Sequence, residues 1–375
     1  MIATWVARKM VIALALTASA SMAAKVEQPL RVIAIDVEGG AATLYITPQG
    51  HSLLIDAGWP VGMGGRRPTP GTTPPTSPSS AQRIAAAVKS AGLTRIDNLL
   101  ISHYHADHIG GAAELMALVP VRTVIDHGPN REQIPADASA RAIAAAPATL
   151  YPGYLAAIGG RPHRVMKPGE TLRIDDMKVT AVDSDGAIPR EPLAGAGAPG
   201  AACASATQSD DLGGEENPRS LGVLIRWGHA RLLSLADTTW NLENRLVCPR
   251  NLIGPVDLMF ADNHGSDNAN SPILVNSVRP RVIVFANGPT KGAGTQSFAT
   301  AMGSPRIEDV WQIHFAEQHP EQNAPAANIA NLGGALEGMS PIRIAVLKDG
   351  ALTITNPRTG TSVNYPAQPR RGGGG

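Results

Sequence analysis

Apolar positions along this chain fall into short runs rather than long stripes. Arg31–Asp36, Thr43–Thr47 and Ser52–Asp56 are separated by turns containing Gly or Pro, and each predicts a short strand. Ala81–Ala91 follows as a helix. Asp97–Ser102 then reads as a buried strand, Ile109–Leu118 as a helix ending before Pro120, and Val121–Asp126 as a second buried strand. Ala138–Ala146 is an alanine-rich helix with Asp137 placed to cap it. Met177–Val182 alternates polar and apolar residues. Leu221–Trp227 and Arg231–Ala236 flank Gly228-His229, a two-residue hairpin signal. Asp257–Ala261 and Val282–Phe285 are buried strands with a short helix, Pro272–Val278, between them. Arg343–Leu347 and Ala351–Thr355 close the pattern as a hairpin around Asp349-Gly350. Hairpins, then strand–helix units, then hairpins again predict two sheets packed face to face with helices outside, in one domain.

Two stretches interrupt this pattern. Pro60–Ser80 and Asp185–Arg219 are rich in Gly, Pro and small residues, and carry 10 of the chain's 39 glycines and 10 of its 31 prolines. Strand and helix patterns resume after each, so both read as loop insertions within one domain spanning residues 25–367. The tail 368–375 is basic and then all glycine, which predicts disorder. At the other end, Arg8 and Lys9 precede the apolar run Met10–Leu16 and the small residues Thr17–Ala24. That is the layout of a cleavable signal peptide over residues 1–24, and the apolar run is shorter than the ~18–20 residues a bilayer span needs. The mature protein is therefore expected in the periplasm or secreted, with no transmembrane segment. In an oxidising compartment the two cysteines, Cys203 and Cys248, are expected to pair. Closing that loop contributes about 4 kcal/mol in the chain-entropy model. The 32 basic residues balance 31 acidic ones, so no bulk positive charge supports a nucleic-acid partner; a small-molecule substrate is expected.

The chemistry concentrates at Ser102-His103-Tyr104-His105-Ala106-Asp107-His108, which holds three of the ten histidines in six residues. Residues i and i+2 of a strand share a face, so His103 and His105 can aim at one point as the strand ends. Asp107 and His108 follow in the turn and can aim at a neighbouring point. Imidazoles with a carboxylate suit Zn²⁺ better than Mg²⁺ or Ca²⁺; Fe and Mn are the alternatives. Asp107 would also serve as a helix cap, but a cap does not account for three histidines at ligand spacing.

The motif H-x-H-x-D-H at His103–His108 resembles that of the metallo-β-lactamase superfamily, and the likeness runs from about Val32 to Thr355. Ile35-Asp36-Val37-Glu38-Gly39-Gly40, Leu54-Ile55-Asp56-Ala57-Gly58, Ser220–Ile225, Leu235-Ala236-Asp237 and Asp262-Asn263-His264-Gly265-Ser266 resemble elements of its ComEC-like branch, in the same order. The resemblance implies a four-layer αββα sandwich, mixed α/β, with two metal ions at one edge of the sheets. By position His103 and His105 would hold the first metal, Asp107, His108 and His264 the second, and Asp237 would bridge them. Asp56 would orient a ligand histidine from behind. The sequence departs from the branch at Asn263, where a histidine is common. It also lacks a clear third histidine for the first metal. His127 follows a buried strand at the right end, as ligand, proton-transfer group or substrate contact; Asp185 is the oxygen alternative, and neither being a ligand is the third option.

Two ions ~3.5–4 Å apart share a water and bring its pKa from near 16 toward ~7, with Asp107 placed to take or orient the proton. The expected activity is hydrolysis of an ester, lactone or phosphodiester. A β-lactamase is the rival enzyme, disfavoured by the missing histidine, and a non-catalytic zinc-binding module is the rival without turnover. Lys291, after the strand Val282–Phe285, reads as a solvated loop lysine or as the holder of an anionic group.

Overall fold

The computed structural model describes residues 27–64, 77–333 and 339–368. The signal-peptide segment 1–24, most of the insertion 60–80 and all but the first residue of the tail 368–375 lie outside these. Among the described residues two sheets form the centre, and their strands are counted there. The first has nine strands, running across the sheet as Thr361–Tyr365, Leu352–Asn356, Ile342–Val346, Leu30–Ala34, Thr43–Ile46, Ser52–Ile55, Ile96–Leu100, Val121–Asp126 and His163–Val165. The second has eight, in the order Ile329–Asn331, Asp309–His314, Val282–Phe285, Leu258–Phe260, Ala230–Ser234, Gly222–Trp227, Met177–Asp183 and Thr171–Ile174. Both are mixed. Ser52–Ile55, Ile96–Leu100 and Val121–Asp126 pair in parallel, as do Ala230–Ser234, Leu258–Phe260, Val282–Phe285 and Asp309–His314.

Three apolar layers explain the patterning. One lies between the sheets and takes Val32, Tyr45, Trp227 and Trp311. A second lies between the first sheet and the helices Ser80–Ser90, Ala112–Leu118 and Pro147–Ile158. The third lies between the second sheet and Trp240–Val247, Pro272–Val278 and Thr295–Met302. Strands covered on both faces must be apolar throughout, which is why Ser52–Ile55 and Val282–Phe285 are continuous buried runs while Ile342–Val346 alternates. The four-layer αββα reading therefore holds.

Several local expectations change. The helix read as Ile109–Leu118 is two pieces, Ala106–Ile109 and Ala112–Leu118, because Gly110-Gly111 packs against the backbone of Ala57 and Pro60, where a Cβ would collide. Ser139, not Asp137, caps the helix Ala140–Ala145. The insertion 185–219 is tied down by two short 3₁₀ turns and by a disulfide between Cys203 and Cys248, the pairing the cysteine count suggested. Among the described residues no helix is long and apolar enough to cross a membrane.

Candidate metal centre

The parallel strands of both sheets deliver their carboxyl ends to one edge, the place where open α/β sheets present ligand sites. Asp56 follows Ile55, the motif His103–His108 follows Leu100, Asp237 follows Ser234, and His264 follows Phe260. Reaching this edge requires unusual backbone: Asp56 (φ 63°), Ala236 (φ 54°), Asn263 (φ 45°) and His264 (φ 54°) all adopt the left-handed region. Such conformations cost of order 1–3 kcal/mol each and persist where surrounding structure fixes them, characteristically at functional sites.

The six expected ligands converge into two groups that share one residue. Donor atoms of Asp107, His108, Asp237 and His264 lie within 4.8 Å of one another, and so do those of His103, His105 and Asp237. Asp237 faces the two groups with different oxygens: Oδ1 is 3.2 Å from His108 Nε2, and Oδ2 is 3.9 Å from His103 Nε2. Except for His105, all are buried.

Each imidazole is held from behind, and this fixes what it offers in front. His108 Nδ1 meets Asp56 Oδ2 at 2.8 Å, and His264 Nδ1 meets the Ala286 carbonyl at 2.9 Å. Both acceptors place a proton on Nδ1, so in the neutral rings the two Nε2 atoms, 3.2 Å apart, are left with their lone pairs. The first group repeats the device. His103 Nδ1 donates to Ser102 Oγ (3.1 Å), whose own proton goes to Asp56 Oδ2, and His105 Nε2 faces Glu132 Oε2 at 3.4 Å. His103 Nε2 and His105 Nδ1 are then left facing each other at 3.1 Å. Four lone pairs and two carboxylates thus crowd one buried edge. With the rings neutral this is repulsive, and a bound proton or a metal ion relieves it, so the donor set fits metal ions.

The proton affinities of the cation-free chain express the same crowding. Burial disfavours charge on His108, but the facing Asp237, Asp107 and Asp56 outweigh it and raise its pKa well above the ordinary value. Burial, reinforced by the neighbouring His108 and His105, holds His103 well below it, against the pull of the nearby carboxylates. Burial would raise Asp107, but Lys291 and His108 draw it well below the usual carboxylate range.

Asp56 takes the orienting position expected for it, also accepting the Ser102 N–H at 2.7 Å. His127 and Asp185 do not join either group. His127 is buried beside the ring of Tyr104, with Nε2 3.1 Å from Glu216 Oε2. Asp185 pairs with Arg131 and Arg219. Sequence reasoning missed Glu132. It sits in the loop after the strand Val121–Asp126, with no local pattern to mark it. Its Oε2 also accepts the N–H groups of Glu215 and Glu216, so it ties His105 to the insertion 185–219. Lys291 is at the site and pairs with Asp107.

Residues 36–192 match the family model of the metallo-β-lactamase superfamily. Over that segment the chain is similar to the metallo-β-lactamase superfamily. Among curated proteins it is similar to a hydroxyacylglutathione hydrolase of Rhodopseudomonas palustris (strain HaA2), 34% identical over 106 residues, which are 28% of this chain and 37% of that protein. It is also similar to a hydroxyacylglutathione hydrolase of Aliivibrio salmonicida, 43% identical over 58 residues, 16% of this chain and 22% of that protein. The matches thus span little more than a third of these relatives at most. Among solved structures, a metal-dependent hydrolase of the β-lactamase superfamily aligns over 76% of this chain and 95% of its own at 12% identity and a TM-score of 0.42. CmlA, a diiron β-hydroxylase from Streptomyces venezuelae, aligns over 79% and 49% at 18% identity and a TM-score of 0.38.

Proposed function

We propose that this chain is an exported hydrolase that works with two zinc ions on an ester, lactone or phosphodiester bond. The observation that carries the reading is the set of four imidazoles, each with its far nitrogen tethered and its near nitrogen bare, around the shared carboxylate of Asp237. His103, His105 and Asp237 would hold one ion; Asp107, His108, Asp237 and His264 would hold the other. When bound, the ions supply a Lewis acid and a water acidic enough to attack near neutral pH.

The remaining work falls to the chain. Asp56 and Glu132 keep the ligand imidazoles in the required tautomers. Asp107, buried beside His108 and His264, is placed to accept and orient the proton of the attacking water. His127 contributes no ligand in this reading, since its Nε2 is engaged with Glu216 inside the protein. The absence of a third histidine on the first ion disfavours β-lactam hydrolysis. Export is supported by the N-terminal pattern of the sequence and by the disulfide, a bond that persists in oxidising compartments.

The test is a substrate panel on metal-analysed protein: chromogenic esters, lactones, bis(p-nitrophenyl) phosphate, a hydroxyacylglutathione and nitrocefin. The expected result is turnover of at least one non-lactam substrate, abolished by chelation, restored by zinc and absent in His105→Ala. Nitrocefin turnover above all others would favour a β-lactamase. Two bound zinc ions with no turnover across the panel would favour a binding module.

A further inference from the structure

We propose that the protein carries a second binding site, separate from the metal centre, that takes a neutral sugar ring. Three observations carry the inference.

The first is a cavity. About 300 Å³ of space lies between the insertion 185–219 and the helices Trp240–Val247, Pro272–Val278 and Thr295–Met302. That volume is at the lower end of the ~300–1,000 Å³ of small-molecule sites. No residue of either ligand group lines it. Its walls are held together independently of any ligand. Asn244 Nδ2–H donates to the Thr207 carbonyl at 2.6 Å, and the Asn241 carboxamide exchanges two hydrogen bonds with the backbone of Ser209, at 2.8 and 2.9 Å. The disulfide between Cys203 and Cys248 joins the insertion to the end of the helix Trp240–Val247. The cavity is therefore preformed.

The second is the chemistry of the lining. Among the described residues no ionisable side chain faces the cavity. A charged ligand would leave water and gain no counter-charge, a cost that neutral walls do not offset. A hydrocarbon is disfavoured for the opposite reason: the Ser271 hydroxyl and the Asn244 carboxamide are buried there and would be sealed from water. Asn244 spends one amide N–H on the Thr207 carbonyl and one lone pair on Ser271 Oγ–H at 3.4 Å, which leaves one donor and one acceptor. Thr207 and Gln296 add an exposed hydroxyl and an exposed carboxamide at the rim.

The third is Trp240, half-buried at the start of its helix. Its Nε1–H donates to the Ala269 carbonyl at 3.0 Å and its N–H to the Asn268 carbonyl at 3.1 Å. With its one polar side-chain hydrogen engaged, the indole offers the cavity carbon alone, and Ile273 extends that apolar side. A fixed aromatic ring among neutral donors and acceptors matches a sugar, whose C–H bonds form an apolar face and whose hydroxyls surround its edge.

The experiment uses the full metal-loaded chain with Trp240→Ala, Trp240→Phe and Gln296→Ala. Glucose, maltose and N-acetylglucosamine are titrated by saturation-transfer NMR and calorimetry, with glucose 6-phosphate and cyclohexanol as the charged and the apolar control. The expected result is saturable binding of at least one neutral sugar, about tenfold weaker in Trp240→Ala, about threefold weaker in Gln296→Ala and within about threefold in Trp240→Phe, at unchanged zinc content. Glucose 6-phosphate should bind about tenfold more weakly than glucose. Maltose tighter than glucose would identify the end of a glycan chain as the ligand, and equal affinity a free monosaccharide. Absence of saturable sugar binding, or tighter binding of either control than of every sugar, would overturn the proposal. So would wild-type affinity in Gln296→Ala together with wild-type affinity or loss of folding in Trp240→Ala. Each readout is binding rather than turnover, so the outcome is independent of the hydrolytic reading of the metal centre.

Discussion

Replacing Asp56 by Asn tests whether a single proton position governs metal binding. Asp56 is buried and accepts three hydrogen bonds: Ser102 N–H at 2.7 Å on Oδ1, and Ser102 Oγ–H and His108 Nδ1–H, each at 2.8 Å, on Oδ2. The backbone N–H of Ser102 cannot rotate, so the amide oxygen of Asn must stay at the Oδ1 position and its NH₂ must replace Oδ2. That NH₂ donates where the carboxylate accepted. His108 then receives at Nδ1, carries its proton on Nε2, and points an N–H into the space where its lone pair faces His264. The side chain keeps its volume, so packing is little changed, but a ligand of the second ion is inverted. Loss of an orienting partner ordinarily costs 10–100-fold in metal affinity, and an inverted tautomer belongs at about 100-fold; that equals about 2.7 kcal/mol. Competition with a chromogenic chelator, read with metal analysis after dialysis, should show the second ion weakened by about that factor and the first weakened less, since His103 feels the change only through Ser102 Oγ, which loses its acceptor. Two ions held at wild-type affinity in Asp56→Asn would refute the tautomer argument.

Other consequences follow from the same geometry. Glu132→Gln should weaken the first ion by about tenfold while leaving the second unchanged, because His105 loses its carboxylate but not its place in the chain; the chelator competition above reads this directly. In the cation-free protein the pKa of His108 is raised by Asp237, Asp107 and Asp56 against the opposing effect of burial, so its proton must leave before zinc can enter. Zinc binding should therefore release protons near neutral pH and weaken as pH falls, measurable by calorimetry in buffers of different ionisation enthalpy. The stabilising contribution of that protonated imidazole to the cation-free fold should be present below pH 6.5 and lost as pH rises through the raised value. Asp36 runs the opposite way. Its burial would raise its pKa, but hydrogen bonding and charge from His314, with Arg83, bring it from 3.8 to about 2. That is worth about 2.5 kcal/mol, present above pH ~4 and lost as pH falls through about 2. Asp36→Asn should cost about 3 kcal/mol in denaturant unfolding, with two metal ions retained.

Much of the fold was legible because burial dictates residue type so strongly. Val121–Asp126, Val282–Phe285 and Pro272–Val278 are read from sequence with their observed bounds, since strands covered on both faces and a Pro-initiated helix leave few alternatives. Elements without such a signature were missed. His163–Val165 and Thr361–Tyr365 are edge strands with half-exposed patterns, and Asp309–His314 is a buried strand carrying Asp, Gln and His at positions expected to be apolar. Those polar residues are satisfied from far along the chain: His314 Nε2 reaches Asp36 at 2.8 Å, and Gln312 accepts the Ala324 N–H at 2.6 Å. At the site, the contiguous motif His103–His108 announced itself, and Asp237 and His264 were found because Leu235-Ala236-Asp237 and Asp262–Ser266 resemble family elements in the same order. Glu132 was not, because its role depends on a loop whose course no periodicity records. The same holds for the buried acids behind the centre. Burial, opposed only in part by the hydrogen bonds each accepts, pushes Asp183 and Glu243 up to about 7, and nothing in their local sequence marks them.

The central claim is that residues distant in sequence cage two cations at the carboxyl ends of the strands. Anomalous scattering at the zinc edge from crystals of the zinc-loaded chain tests it most directly. The account predicts two peaks ~3.5–4 Å apart, one bound by His103, His105 and Asp237 and the other by Asp107, His108, Asp237 and His264, with ligand distances of about 2.0–2.2 Å. A map with no peak at this edge, or with zinc bound only elsewhere on the protein, would contradict it.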